Sequence, residues 1–105
     1  MQSSYRRPFQ DFIKKQHPPL QLAIEDAVEE ICDDPTIGEE KEGDLKGIWV
    51  YKFKHKKQEY LIAYRPPIPE VREAEGVDIE LLVIDFYQAG THENFYKALK
   101  KYLKS

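Results

Sequence analysis

The chain has 105 residues, with 41% hydrophobic and 33% charged residues and a formal charge of −3. That length is one domain, residues 1–105, and the composition is that of a folded body rather than a disordered one. The charge excludes a uniformly basic nucleic-acid coat, the single cysteine excludes a disulfide framework or a Cys/His zinc cluster, and no apolar run is long enough for a membrane span or a signal peptide. A cytoplasmic protein is expected.

The charge is segregated along the chain. Residues 21–47 are strongly acidic. Residues 48–66 set Lys52, Lys54, Lys56, Lys57 and Arg65 against Glu59 alone, and the tail carries Lys97, Lys100, Lys101 and Lys104. Such blocks either make basic and acidic faces on one small body or are ordinary solvated faces.

Residues before Arg7 carry a weak edge-strand signal. Arg7 to Lys15 predicts a short helix with Phe9, Phe12 and Ile13 on one side, stopped by Pro18-Pro19. His17 reads as an exposed loop residue. The two prolines suit the first turn of a second helix. There Leu20, Ala23, Ile24, Ala27, Val28 and Ile31 recur at helical spacing, with Glu25, Asp26, Glu29 and Glu30 opposite. Asp33-Asp34-Pro35 ends it. Cys32 lies off the stripe and reads as a small half-buried filler rather than a nucleophile.

A polar loop with Gly38 and Gly43 leads to a strand over Ile48–Lys54. Period two puts Trp49, Tyr51 and Phe53 on one face and Val50, Lys52 and Lys54 on the other. His55-Lys56-Lys57-Gln58 is a turn, and Glu59–Arg65 is its partner strand. Pro66, Pro67 and Pro69 end the hairpin and open a polar excursion to Gly76-Val77. Ile79–Tyr87 is nearly continuous apolar sequence, expected to be a strand buried on both faces. Gly90-Thr91 opens a last helix with Thr91 as cap and Phe95, Leu99, Tyr102 and Leu103 as its stripe. Helices and strands are segregated in sequence, which predicts an α+β fold: an antiparallel three-strand meander, with a possible N-terminal strand, flanked by two N-terminal helices and a C-terminal helix.

Several of these segments, in this order, resemble the RelE/ParE superfamily of type II toxin–antitoxin toxins, in its RelE/YafQ-like branch. They are Asp34-Pro35, then Leu45-Lys46-Gly47-Ile48-Trp49, then Tyr51-Lys52-Phe53-Lys54. Next come Tyr60-Leu61-Ile62-Ala63-Tyr64-Arg65 and Leu81 to Phe86. The last, Gly90-Thr91-His92-Glu93-Asn94-Phe95-Tyr96, looks like the family's Gly-[Ser/Thr]-His-x-x-x-[Phe/Tyr] signature. The resemblance covers about Phe9 to Leu103. It implies a small RelE-like fold, a cognate antitoxin partner, and mRNA on the ribosome as the target of an endoribonuclease. In that family the RNA 2′-hydroxyl attacks the adjacent phosphate, with no cofactor and no metal. The chemistry needs a base, cations for the phosphorane charge and an acid for the leaving oxygen.

His92 is the candidate acid/base, since imidazole titrates near neutrality and a helix start favours its neutral form. The alternative is a histidine that only bonds nearby backbone. Tyr96, at i+4, shares its helical face and either stacks a base, donates a proton or packs in the core. Lys52 and Lys54 share a strand face about 7 Å apart, able to bracket phosphates or to serve as solvated edge lysines. Arg65, Lys56, Lys57 and His55 are candidate RNA-binding residues that extend this patch. Two positions depart from the family pattern. Leu61 stands where an arginine is usual, with Arg65 four residues on at the same parity, and Phe86–Gly90 holds no arginine. A ParE-like toxin that inhibits gyrase without chemistry, or a non-catalytic RelE-fold binding protein, are the other readings. The oligomeric state has no signal in the sequence.

Overall fold

Apolar period-two strands need both faces covered, and this chain covers them with helices on opposite sides of one sheet. The computed structural model describes residues 1–67 and 75–104. The centre of the Pro-rich excursion, including Pro69, lies outside the described residues. Strand β1 (Gln2–Tyr5) leads into α1 (Arg7–Lys14) and α2 (Pro18–Asp33). The two-residue strand β2 (Glu39–Glu40) precedes β3 (Trp49–His55), β4 (Gln58–Arg65) and β5 (Val83–Gly90), and α3 (Phe95–Lys104) closes the chain. The sheet order is β1-β5-β4-β3-β2. The β3-β4-β5 meander is antiparallel, as expected. The N-terminal strand is present and pairs parallel to β5, so the sheet is mixed. Strand β2, antiparallel to β3, was not expected: two glutamates carry no strand signal.

The second helix buries Leu20, Ile24, Ala27, Val28 and Ile31, while Glu25, Asp26, Glu29 and Glu30 face out, as the spacing predicts. Prolines occupy its first turn, where a missing N–H costs no bond. Cys32 is half-buried, and burial pushes its thiol pKa up. Helices α1 and α2 pack on the sheet face that carries Tyr51, Phe53, Ile62, Tyr64, Ile84 and Phe86. Tyr64 is fully buried there. Its hydroxyl donates to the Pro35 carbonyl (2.7 Å) and accepts from the Gly38 N–H (3.1 Å). A Cβ at Gly38 would stand 2.7 Å from that hydroxyl and 2.9 Å from the Val50 carbonyl oxygen, which explains the glycine.

Helix α3 covers the other face through Phe95 and Leu99, packed on Val50, Leu61, Ala63 and Tyr87. The predicted parity of β3 therefore holds, with Lys52 and Lys54 on the α3 side. Two boundaries differ from expectation. Ile79–Leu81 is a 3₁₀ turn, capped by the Asp78 carboxylate, which accepts from the Glu80 N–H (3.0 Å). Ile79 and Leu81 are exposed. The strand starts at Val83 and runs to Gly90, with Phe86–Ala89 buried. Thr91 does not cap α3. Residues 92–94 form a turn, Asn94 adopts a left-handed φ of 60°, and the Ala98 N–H closes the first helical turn on the Asn94 carbonyl (2.9 Å). No helix among the described residues is long and apolar enough to cross a membrane.

Candidate functional site

The site follows from strand register. In the β3–β4 hairpin Lys54 opposes Glu59 and Lys52 opposes Leu61. On the other side of β4, Leu61 opposes Gly90, the last residue of β5. Two residues further, the chain has left the sheet but holds its line, and His92 stands over Glu59. The His92 Nε2 lies 2.6 Å from Glu59 Oε1. Lys54, Glu59 and His92 thus form a polar row across the β3–β4 hairpin and the segment that follows β5.

The electrostatics agree with that geometry. The hydrogen bond from His92 holds the Glu59 carboxyl below the usual carboxylate range, with further help from the His92, Lys52 and Lys54 charges. An ionised carboxylate only accepts, so Nε2 carries the proton of this bond and Nδ1 is the ring nitrogen that Glu59 does not engage. The side chain of His92 is about half exposed (53%).

A second cluster lies beside the first. Lys41 Nζ bonds Glu39 Oε1 (2.6 Å) and stands 5.6 Å from the centre of the Tyr96 ring. The bond to Glu39 raises the Lys41 pKa and, seen from the other side, lowers that of Glu39. Lys52 adds to the lowering of both Glu39 and Glu59, so it sits between the two clusters. Tyr96 is half-buried, with its ring edge-on to Phe95 at 5.2 Å.

The structure therefore brings together Lys52, Lys54 and His92 on one end of the α3 face. It places Tyr96 beside Lys41, reached through α3 rather than through a shared turn with His92. The expected helical face common to His92 and Tyr96 does not form, because α3 begins only at Phe95 and His92 lies in the preceding turn. The argument from a helix start for a neutral His92 loses its basis for the same reason. Lys56 and Lys57 sit exposed at the hairpin tip, next along from Lys54.

His55 and Arg65 are not part of the row. His55 points to the α1/α2 face, where with His17, Lys56 and Tyr60 it lines a cleft of about 310 Å³. Arg65 is at the far end of β4, roughly 20 Å from Glu59 along the strand. Its guanidinium lies 5.7 Å from the centre of the Tyr87 ring, which Arg6 also approaches, at 5.5 Å. It cannot stand in for the arginine missing at position 61, and Leu61 itself is fully buried under α3.

Two residues at this site escaped the reading of the sequence: Glu59 and Lys41. Glu59 was within reach, since the two-residue turn at Lys56-Lys57 fixes the hairpin register and sets it opposite Lys54. Lys41 was not, because β2 leaves no pattern.

Comparison with known proteins finds one family model, described as the ParE-like toxin of type II bacterial toxin-antitoxin systems, matching residues 4–100. No curated protein and no solved structure matches the chain.

Proposed function

The chain belongs to the ParE-like toxin family of type II toxin–antitoxin systems, and from that premise we propose that it is a metal-independent endoribonuclease that cleaves mRNA on the ribosome until a cognate antitoxin neutralises it. The observation that carries this reading is the Glu59–His92 pair, 2.6 Å apart and flanked by Lys52 and Lys54. A histidine oriented by a carboxylate and bordered by cations is what 2′-hydroxyl chemistry requires.

Nδ1 of His92 takes the proton of the 2′-hydroxyl as that oxygen attacks the adjacent phosphorus. Glu59 holds the ring and stabilises the imidazolium that results; it is a positioning residue. The Lys52 and Lys54 ammonium groups offset the charge that builds on the phosphorane oxygens. The bond from phosphorus to the 5′ oxygen breaks, and Tyr96, with Lys41 beside it, supplies the proton to the departing oxygen. The products are a 2′,3′-cyclic phosphate and a 5′-hydroxyl end. Lys56 and Lys57, at the hairpin tip, contact the RNA backbone.

A second reading, a ParE-like inhibitor of gyrase that does no chemistry, is favoured by the family's name and by the buried Leu61 where the nuclease branch has an arginine. Induced expression followed by mapping of mRNA 5′ ends separates the two. The nuclease reading expects cuts inside translated codons that disappear in His92→Gln. Intact messages with DNA-damage signalling, unaffected by His92→Gln, would establish the second reading instead.

A further inference from the structure

The hairpin tip has a second side, turned away from the Glu59–His92 row. There the end of α1 and the start of α2 meet the ends of β3 and β4 around the cleft of about 310 Å³. Strand parity sends His55 and Tyr60 to this side, opposite to Lys54 and Glu59. The Tyr60 ring is a fixed wall: it stacks on Phe53 with centres 5.6 Å apart and meets Phe12 edge-on at 6.4 Å. His17 joins them from the start of α2, where its side chain makes no capping bond.

The lining says what kind of ligand fits. Three planar side chains, His17, His55 and Tyr60, face one small space, and none of the lining residues is acidic. The clefts beside β3 differ in this: Asp26 and Glu30 line one and Glu39 lines the other. Lys56 borders the cleft, and α2 begins at it with the positive end of its dipole. Pro18 and Pro19 take two N–H groups out of that first turn, so the helix end supplies field rather than a cradle of donors. The Gln16 and Gln58 amides are anchored through their NH₂ groups, on the carbonyls of Phe12 (2.8 Å) and Glu59 (3.0 Å). Among the described residues nothing donates to either amide oxygen, so the lining keeps two acceptors. The volume is at the small end of the range for ligand sites, enough for one base and its sugar and too little for a duplex.

We propose that this cleft binds a single unpaired nucleotide. The base lies against the His17, His55 and Tyr60 rings, its N–H groups donate to the Gln16 and Gln58 amide oxygens, and its phosphate meets Lys56. Every base has a π face and at least one N–H donor, so the cleft accepts any base. An acidic peptide answers the lysine but leaves the rings and the acceptors unused, and so does a bare phosphate. Lys56 and Lys57 continue the line of Lys54 round the hairpin tip. A strand lying on the Glu59–His92 row therefore rounds the tip and sets a neighbouring nucleotide in the cleft. That this nucleotide belongs to the cleaved strand rests on the nuclease reading; that the cleft takes a nucleotide does not.

NMR titration of the full chain tests this, read at the ring signals of His17, His55 and Tyr60. The probes are uridine 5′-monophosphate, inorganic phosphate, a capped tri-glutamate peptide and a 2′-deoxyuridine hexamer, which has no 2′-hydroxyl to cleave it. The mononucleotide shifts all three rings and half-saturates at a concentration about tenfold or more below that of phosphate or the peptide. His17→Ala with His55→Ala weakens it by about tenfold, while His55→Phe, which keeps a ring, retains most of the affinity. The melting temperature of each variant is measured alongside, and neither side chain is sealed from solvent. Equal response to phosphate, a stronger response to the peptide, or unchanged affinity in the double variant overturns the proposal. The hexamer binds more tightly than the mononucleotide and shifts His92 as well; a hexamer no tighter, or one that leaves His92 unmoved, overturns the path round the tip. Intact messages in the mapping of mRNA ends would sink the nuclease reading without moving the mononucleotide titration, so the two fail separately.

Discussion

The two faces of the sheet are built by the same strands and do different work. On the α1/α2 face Phe9, Ile24, Ile31, Ile62, Tyr64, Ile84 and Phe86 are sealed from solvent, and the one hydroxyl among them, on Tyr64, is bonded to Pro35 and Gly38. On the α3 face burial stops part-way. A helix of ten residues is about 15 Å long, shorter than the hairpin beneath it. Past its first turn the same strand parity that buries Val50 and Ala63 exposes Lys52 and Lys54 and leaves Glu59 half-buried. Both faces bury a core, and the ionisable groups collect where the α3 face runs out of cover. Changes to the two should therefore separate.

The sharpest way to break that separation is to empty the sealed face. Phe86→Ala should cost about 3–5 kcal/mol in urea unfolding, while cleavage per folded molecule stays at the wild-type rate. Tyr64→Phe is the milder form. It orphans the Pro35 carbonyl and the Gly38 N–H and should cost about 1–3 kcal/mol by the same measurement.

The hairpin tip tests the charged side. Lys56 and Lys57 both adopt left-handed backbone, with φ of 49° and 69°, in a turn whose geometry favours asparagine and glycine. Lys57→Gly should raise stability by about 1 kcal/mol. In a domain of this size that is a gain of roughly 4–8 °C in melting temperature. A loss of stability would mean that the tip is held by contacts of the lysine side chain.

The smallest effects are titrations, one for each face. The hydrogen bond to Glu30 pushes the Tyr51 hydroxyl up to about 12. A raised pKa means that the stabilisation is complete below the ordinary tyrosine value and is lost as pH climbs through about 12. Glu30→Gln should bring the ring's titration, followed by NMR, down toward the ordinary value. On the α3 face the depressed carboxyl of Glu59 gives the opposite sign. Its contribution is present above the ordinary carboxylate range and fades as pH falls through the lowered value. His92→Ala should move the Glu59 carboxyl titration upward, and no movement would show that the pair is not formed in solution.

Much of the fold was legible because burial writes a period into the sequence. The α2 stripe and the face-splitting of β3 could be read from spacing alone, and the order of the main elements with them; Val83 to Tyr87 of β5 was legible as an apolar run, while its end at Gly90 was not. What could not be read depends on tertiary partners. Ile79 and Leu81 look like strand because they are apolar, but β1 is four residues long and its backbone pairing reaches only to Leu82. Thr91 looks like a cap, but register carries the chain straight past Gly90 to set His92 over Glu59. The site was half legible for the same reason. Lys52, Lys54 and His92 each carried a local signal, whereas Glu59 acquires its role only from its neighbours across two strand pairings, and Lys41 from the contact with Tyr96. Arg65 shared the parity of the site residues, but parity does not measure distance along the strand.

The central claim is that Glu59 and His92 act as one unit on RNA without holding the fold. The most direct test is a single-turnover cleavage rate on stalled ribosomes, measured with the thermal melt, for wild type, Glu59→Gln, His92→Gln and the double variant. The account predicts a loss of about 10²–10⁴-fold for His92→Gln, with the double variant scarcely worse and all melting curves close together. Cleavage at the wild-type rate in His92→Gln, or losses that only follow a falling melting temperature, would contradict it.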